Sequence, residues 1–182
     1  MAEDRYIYKS QIKEEFYDIA NKFVRFNKEV FKLHPKWFCL VKTSLQQLPN
    51  ILIIPEFLDL KLELLRHCDL FMRKNDLEFS DGYIEECWIN IYEKNYYQEF
   101  HDHARTNFKY FSGVLYLTDD NSKIQFFRDN SIFLKPKKGE IIIFDSSYEH
   151  RVLPQDSNSL RVSLAFNFKK CRDYSIKAND SR

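Results

Sequence analysis

Apolar residues recur at helical spacing in two segments of the N-terminal part of the chain. In the first segment the stripe runs through Ile12, Phe16, Ile19, Phe23, Phe26 and Val30. In the second, after Pro55, it runs through Leu58, Leu62, Leu65, Cys68 and Met72, and the polar stretch RKND at 73–76 closes it. Residues three and four apart share one face of a helix, so the pattern predicts two amphipathic helices with Phe16 and Leu62 among their buried residues.

The helical period disappears from Tyr83 onward. Short strand-like segments follow one another instead, at 83–92, 97–103, 109–118, 123–127, 131–134, 140–144, 150–153 and 160–168. Two earlier runs, WFCLVK at 37–42 and ILII at 51–54, also predict short strands. Eight successive strands favour a β-sandwich or barrel. The runs IIIF at 141–144 and VSLAF at 162–166 are almost continuously apolar, which indicates strands covered on both faces, one of them by the two helices.

The chain has 182 residues, about the length of one domain. We therefore expect a single domain over 1–182, with a helical support region at 1–76, a β core at 77–172 and a solvated tail at 173–182. The start of the chain is charged and no apolar run reaches the length of a membrane span, so we expect a soluble cytoplasmic protein without a signal peptide.

Charge and glycine content exclude several classes of function. The chain has 28 Lys and Arg residues and 27 Asp and Glu residues, which gives a net charge of +1. Net charge therefore does not indicate binding to nucleic acid or to an anionic membrane. Only three glycines are present, too few for a dinucleotide fingerprint or a phosphate-binding loop. The four cysteines, Cys39, Cys68, Cys87 and Cys171, are widely spaced, which predicts buried, inert thiols rather than a zinc site or disulfides.

Three histidines of the β region form the most informative pattern. His101 and His103 stand at i and i+2 of one strand and project to the same face, while a later strand can bring His150 beside them. Imidazole suits Fe(II), Zn, Cu or Ni, and a three-residue set leaves coordination positions for substrate and dioxygen. The alternative is that two strand histidines are merely surface or structural residues, and short motifs alone do not decide between the two.

Arg161 and Ser163 share one face of an otherwise apolar strand. A guanidinium in such a strand is costly to bury unless an anion pairs with it, and a fork of N–H donors beside a hydroxyl suits a carboxylate. Tyr116, on a neighbouring strand, offers a phenolic donor. The alternative is an internal pair between Arg161 and a protein carboxylate such as Asp145.

In order along the chain stand HxH at 101–103, SGVLYL at 112–117, LKPKKGEIIIF at 134–144, the isolated His150 and RVSLAFN at 161–167. This order resembles the Fe(II)/2-oxoglutarate-dependent dioxygenase superfamily, over about residues 83–168, and is most similar to its small bacterial and phage members, which carry W-x-N before HxH as in 88–90 here. The resemblance implies a double-stranded β-helix, a jelly-roll barrel of eight strands, and an oxygenase that uses Fe(II), 2-oxoglutarate and dioxygen. Its product would be a hydroxylated, unidentified small molecule or peptide, with succinate and CO2 released.

By resemblance, His101 and His150 are iron ligands, and the co-substrate contacts come from Arg161, Ser163, Tyr116 and Asn90. No catalytic residue beyond the metal ligands is expected. Most of the superfamily has Asp or Glu where His103 stands, so the site is one negative charge short. Either His103 is the third ligand, or two histidines and water hold the iron.

Two other functions fit the same residues. One is a cupin-type dioxygenase that uses the three histidines without 2-oxoglutarate, although the Glu expected soon after HxH is absent and the Arg161–Ser163 pair would have no purpose. The other is a non-catalytic jelly-roll binding module with an aromatic recognition surface, since aromatics make up 16% of the chain. Metal content and 2-oxoglutarate binding together separate the three.

Overall fold

The computed structural model describes residues 7–77, 82–104, 110–119, 123–127, 131–154 and 158–169. The helices are α1 (Glu14–Phe26) and α2 (Leu58–Lys74), with short 3-10 turns at Lys28–Val30, Ile51–Ile53 and Pro55–Phe57. The strands are β1 (Ile7–Gln11), β2 (Lys32–Leu33), β3 (Lys42–Thr43), β4 (Tyr83–Tyr92), β5 (Gln98–His101), β6 (Tyr110–Tyr116), β7 (Ile124–Phe127), β8 (Ser131–Leu134), β9 (Glu140–Asp145), β10 (Glu149–Val152) and β11 (Arg161–Lys169). Each of the eight segments predicted from Tyr83 onward thus forms a strand.

The strands form two antiparallel sheets. The large sheet has the order β1-β9-β6-β11-β4-β3-β2, and the small sheet has the order β5-β10-β7-β8. Strands β4 to β11 alternate between the two sheets in the manner of a jelly roll, except that β7 and β8 form a hairpin within the small sheet, so the predicted mainly β architecture is confirmed. An apolar cluster that includes Phe126 and Phe144 lies between the sheets.

Both helices pack on the outer face of the large sheet, as predicted. Phe71 of α2 carries much of this contact, with its ring centroid 5.2 Å from that of Phe111 and 6.3 Å from that of Phe168. Phe16 of α1 is half-buried against the same apolar cluster. Burial of this cluster covers one side of the strands whose sequences are continuously apolar.

The buried face of α2 differs from the predicted one. Leu62, predicted to be buried, is 57% exposed, whereas Leu60 and Leu64 are fully buried. Apolar residues occupy more than one side of this helix, so two stripes fit a helical period equally well and only the docked position of α2 decides between them. In α1, Phe26 of the predicted stripe is 80% exposed, at the last residue of the helix.

The two early strand predictions are largely wrong. Ile51–Ile53 form a 3-10 turn in which the Asn50 side chain accepts a hydrogen bond from the Leu52 backbone N–H. Pro55 begins a second such turn that leads directly into α2. Within 37–42 only Lys42 lies in a strand. Short apolar runs are ambiguous between a strand and a buried turn, and here the capping Asn and the following Pro favour the turn.

The central strands of the large sheet have two different faces. On β11, Val162, Leu164, Phe166 and Phe168 belong to the helix-side cluster, and Arg161, Ser163 and Asn167 alternate with them. Since successive side chains of a strand project to opposite faces, these polar residues lie toward the space between the sheets. The same alternation on β4 places Trp88 and Asn90 on that side.

A close approach of two strands explains one glycine. Gly113 of β6 stands opposite Phe166 of β11 in the ladder. A Cβ atom at position 113 would lie 2.1 Å from the nearest atom of the Phe166 ring, well inside van der Waals contact. Only a residue without a side chain therefore leaves room for the tip of the Phe166 ring at this position.

Three cysteines are buried free thiols, as predicted, whereas Cys171 and the predicted tail at 173–182 lie outside the described residues. Burial raises the pKa of Cys39 to about 12, with the Glu99 carboxylate adding to the effect, and burial raises the pKa values of Cys68 and Cys87 well above the ordinary value. These thiols are therefore held protonated and unreactive. Among the described helices, none has the length and apolarity needed to cross a membrane.

Candidate active site

The structure brings the three predicted histidines together at one end of the small sheet. His101 ends β5, His150 lies on β10, and the two stand opposite each other in the ladder. His103 follows β5 by two residues, and its ring centroid is 5.1 Å from that of His101 and 5.3 Å from that of His150. Each histidine has one nitrogen within 4.8 Å of a nitrogen of both others, a spacing that one metal ion can bridge.

Backbone hydrogen bonds orient two of the three rings. The Nδ1 atom of His101 is 2.8 Å from the Glu99 carbonyl oxygen, and the Nδ1 atom of His150 is 2.9 Å from the Tyr148 carbonyl oxygen. A carbonyl only accepts, so in the neutral rings each Nδ1 carries the proton and each Nε2 keeps a lone pair. This is the arrangement in which metal-binding histidines are usually held.

Burial keeps these two rings uncharged. Desolvation lowers the pKa of His101, against the raising effect of its bond to the Glu99 carbonyl. Desolvation lowers the pKa of His150 well below the ordinary value, and the neighbouring His101 and His103 lower it further. Neutral imidazole is the form that binds metal ions, so the site is ready to accept a cation near neutral pH.

A chain of polar side chains supports His103. Its backbone N–H donates to the Ser146 carbonyl at 2.9 Å, and its Nδ1 lies 3.5 Å from the Asn167 amide nitrogen. The Ser112 hydroxyl donates to Asn167 Oδ1 at 2.8 Å, and Asn167 Nδ2 donates to the Glu86 carboxylate at 2.9 Å. These bonds fix which way the Asn167 amide faces, with its N–H group toward Glu86 and His103.

The four residues predicted to hold the co-substrate also lie together. Ser163 stands opposite Asn90 on β4 and opposite Tyr116 on β6, and Arg161 is two residues away on the same face of β11. All four are buried, and Arg161 is only 1% exposed. The guanidinium carbon lies 5.4 Å from the ring centroid of Tyr92 and 5.2 Å from that of Tyr116, so aromatic faces flank the cation. The alternative partner Asp145 lies at the far end of β9 and bonds to Ser147.

One cavity, the inner cavity, connects the three histidines with the four predicted co-substrate residues. It contains about 440 Å³ of unfilled space, its open mouth included, and both the three histidines and the four predicted co-substrate residues line it. A guanidinium and a group of metal-binding nitrogens in one cavity are what a dicarboxylate that also chelates a metal would require.

Sequence reasoning missed several residues of this cavity. Gln98 lies between two site residues: it accepts a hydrogen bond from the Tyr92 hydroxyl at 2.8 Å, and its amide nitrogen is 3.4 Å from His101 Nε2. Asn167, the partner of His103, continues the alternation of Arg161 and Ser163 along β11 and could have been found by extending that pattern by two steps. Gln98 carries no comparable signal, because its role depends on the turn of β5 toward β4.

Comparisons with known proteins agree with this arrangement. Residues 120–167 match the model of a family described as Putative 2OG-Fe(II) oxygenase. No curated protein matches the chain in sequence. Among solved structures, a prolyl-4-hydroxylase from Pseudomonas putida superposes with a TM-score of 0.70 at 19% identity, over 92% of this chain and 94% of that chain. A viral collagen prolyl hydroxylase from Paramecium Bursaria Chlorella virus-1, in a 2OG complex, gives 0.66 at 17% identity, over 94% and 99%.

A third structure, a Trichoplax adhaerens prolyl hydroxylase in complex with a hypoxia inducible factor peptide, gives a TM-score of 0.67 at 11% identity, over 92% and 84% of the two chains. These likenesses show the double-stranded β-helix fold predicted above. The family match agrees with the superfamily resemblance and with the predicted enzyme class, an oxygenase that uses Fe(II) and 2-oxoglutarate, over the segment 120–167 that it covers. The roles of individual residues stay predictions.

Proposed function

We propose that this chain hydroxylates a C–H bond of a prime substrate with dioxygen, and that His101, His103 and His150 hold Fe(II) while Arg161 anchors 2-oxoglutarate. The observation that carries the proposal is the shared cavity, which is lined by three converging histidines and by the buried guanidinium of Arg161, six residues along β11 from Asn167, the partner of His103. Dioxygen would be the oxidant: one of its oxygen atoms would enter the hydroxyl group of the product and the other would enter succinate, as 2-oxoglutarate loses CO2 in the Fe(II)-assisted reaction.

The three histidines fit a divalent metal with open coordination positions. Two of them are neutral and present Nε2 to the same point because their Nδ1 atoms are held by backbone carbonyls. His103, supported through its backbone by Ser146, supplies the third imidazole. Three neutral ligands leave the full charge of the metal to be balanced by other groups, so an anionic co-substrate that chelates the metal would bind more strongly here than at a site with a carboxylate ligand.

The inner end of the cavity fits a carboxylate. Arg161 offers a planar fork of donors, Ser163 lies two residues along the same strand face, and Tyr116 faces Ser163 across the ladder. The side-chain oxygen of Asn90 is buried and makes no hydrogen bond to the described residues. The Asn90 amide can turn to present its N–H group, so a bound anion would satisfy a polar group that makes no hydrogen bond within the described part of the chain.

A cupin-type dioxygenase without 2-oxoglutarate would use the same three histidines. The buried Arg161 favours the first proposal, because a reaction at the metal alone has no use for a guanidinium at the far end of the cavity. The two functions differ in one measurable property, which is whether 2-oxoglutarate binds to the metal-loaded protein.

The test is a calorimetric titration of 2-oxoglutarate into the Mn(II)-loaded protein without oxygen. We expect saturable binding to the wild type, and a loss of about 100-fold or more in Arg161→Ala, since removing one member of a buried charge pair costs roughly 2–5 kcal/mol. Metal content should be nearly unchanged, because the histidines form a separate group of ligands.

Arg151→Ala is the matched control, because that arginine lies over the ring of Phe100 and outside the inner cavity. Equal affinity in wild type and Arg161→Ala would refute the assignment of Arg161. An absence of binding by correctly metallated wild type would favour the cupin-type reaction or the binding module.

A further inference from the structure

A second cavity, the outer cleft, borders the histidines. It contains about 830 Å³ of unfilled space, its open mouth included, and shares His101, His103 and Trp88 with the inner cavity as walls. Asp102 and Ala104, which are exposed, also line the outer cleft, so it reaches the surface. A molecule in this cleft lies next to the candidate metal ligands, where a prime substrate has to be.

The charged side chains that line the outer cleft are all acidic among the residues that the structure describes. They are Glu86, Glu99 and Asp102. The histidines that share the wall are neutral when they bind a metal, and no described lysine or arginine lines the cleft. Three carboxylates around the cleft, with no described lysine or arginine among its lining residues, favour cations over anions in this space.

Two of these carboxylates, Glu99 and Asp102, can accept further hydrogen bonds. Asp102 Oδ1 accepts a hydrogen bond from the backbone N–H of Ala104 at 3.0 Å, and Glu99 Oε1 accepts one from the backbone N–H of Phe38 at 3.2 Å. The Cys39 thiol, a weak donor, also interacts with the Glu99 carboxylate, but the second oxygen of Glu99 is buried and has no hydrogen-bond partner among the described residues. A buried carboxylate oxygen is costly to leave without a donor, so a ligand that donates hydrogen bonds would be stabilised there.

A buried tryptophan is an independent sign of a ligand. Trp88 is 4% exposed, lines both cavities, and its Nε1–H makes no hydrogen bond to the described part of the chain. A buried indole N–H usually finds an acceptor, and here a bound molecule can supply one. Trp37, which also lines the cleft, adds an aromatic surface of the type that attracts cations most strongly.

We propose that the outer cleft recognises an ammonium or guanidinium group of the prime substrate, with Glu99 and Asp102 as its partners and Trp88 as donor to a carbonyl or carboxylate of the same molecule. This inference rests on the proposed oxygenase function. A basic amino-acid side chain, free or in a peptide, has both features, a terminal cation and a carbonyl several bonds away. Anionic substrates are disfavoured by the three carboxylates.

Tryptophan fluorescence gives a direct test, because the chain has two tryptophans and both line the outer cleft. The probes are the N-acetyl methylamides of arginine and lysine, with those of citrulline and Nε-acetyl-lysine as neutral counterparts of matched shape. They are titrated into the Mn(II)- and 2-oxoglutarate-loaded protein without oxygen. We expect saturable fluorescence changes with at least one charged probe, about tenfold or more tighter than with its neutral counterpart, and weakening as salt is raised.

The double variant Glu99→Gln, Asp102→Asn should lose this preference for the charged probe while it keeps metal content, because the His101 ring is held by the Glu99 carbonyl and not by its side chain. Glu149→Gln is the matched control, since that exposed carboxylate lies on β10 outside the cleft. Three outcomes would overturn the inference: equal affinity for charged and neutral probes, no saturable binding of either charged probe up to about 10 mM, or an unchanged preference in the double variant.

The two proposals fail in different experiments. If 2-oxoglutarate binds by calorimetry but the charged probes show no preference, the oxygenase function stands and the cationic substrate class is wrong. If the charged probes bind but 2-oxoglutarate does not, the cleft is a cation-recognition site on a protein with another chemistry. The contrast between charged and neutral probes is measured on the wild type, so it does not depend on the stability of a variant.

Discussion

His101 and His150 stand directly opposite each other on neighbouring antiparallel strands, with ring centroids 4.3 Å apart. Opposed residues of such a pair project to the same face and lie within side-chain contact. Each ring also bonds to a carbonyl of its own chain segment, two residues upstream. Strand register and local backbone therefore set the position of both Nε2 atoms before any metal binds.

Metal binding should stabilise the folded protein through this pair. At a Mn(II) concentration about 100 times the dissociation constant, the expected gain is about 2.7 kcal/mol, or roughly 5–10 °C in melting temperature for a chain of this size. In His150→Ala the shift should disappear whatever the baseline stability of the variant. Differential scanning fluorimetry with and without Mn(II) measures it, and a full shift in His150→Ala would exclude His150 as a ligand.

Replacement of His103 by Asp tests whether the absence of a carboxylate among the candidate metal ligands weakens Fe(II) binding. A carboxylate at this position would bring a negative ligand to the metal, so His103→Asp should bind Fe(II) about tenfold or more tightly than the wild type. Competition with a coloured chelator under anaerobic conditions gives the affinity. His103→Ala serves as the comparison: if it binds Fe(II) as tightly as the wild type, His103 is not a ligand and two histidines with water hold the metal.

The site was more predictable from sequence than the docking of the helices. Strand alternation gives the face of each residue, so the spacing of Arg161 and Ser163 placed that pair on the inward face of β11, whereas His103 lies beyond the end of β5 and lines the cavity from the segment that follows. Which strands become neighbours depends on the whole topology, and the superfamily resemblance supplied that step. Gln98 was not predictable, since it depends on one contact between β5 and Tyr92.

Sequence periodicity predicted the wrong buried face for α2, and this difference provides a matched pair of variants. Leu60→Ala removes a fully buried side chain and should lower the free energy of unfolding by about 2–5 kcal/mol. Leu62→Ala, at a position 57% exposed, should change it by less than about 1 kcal/mol. Urea denaturation of both variants measures the difference, and similar losses in the two would contradict the orientation of α2.

The close contact between Gly113 and Phe166 predicts a loss of stability when a side chain is added at position 113. Gly113→Ala should destabilise the protein by about 1–3 kcal/mol, because the new Cβ overlaps the Phe166 ring. Combination with Phe166→Leu should cost less than the sum of the two single changes, since the smaller side chain frees that space. Additive losses in denaturant unfolding would show that the two positions do not compete for space.

His67 of α2 gives a pH dependence of stability. Its Nδ1 lies 2.8 Å from the Tyr8 hydroxyl, and Glu63 and Arg66 also contact the ring. Burial lowers the pKa of His67, with Arg66 adding to the effect and Glu63 opposing it. As pH falls below the ordinary value of 6.5, the unfolded chain takes up this proton before the folded protein does.

The free energy of unfolding should therefore fall as pH drops through 6.5, and part of that loss should be absent in His67→Gln. Urea denaturation of both proteins between about pH 7.5 and 5 gives the two curves, and their difference isolates His67 from the other buried histidines. Parallel curves would mean that His67 titrates alike in the folded and unfolded chains.

Among the described strands, β5 has β10 as its single neighbour, at the end of the small sheet. A strand in that position opens more readily than an interior one. A metal ion held by His101 on β5 and His150 on β10 would act as a cross-link that closes this edge. Because β5 also carries Glu99 of the outer cleft, loss of iron would loosen the wall that recognises the substrate, so an enzyme without metal would lose substrate affinity together with its chemistry.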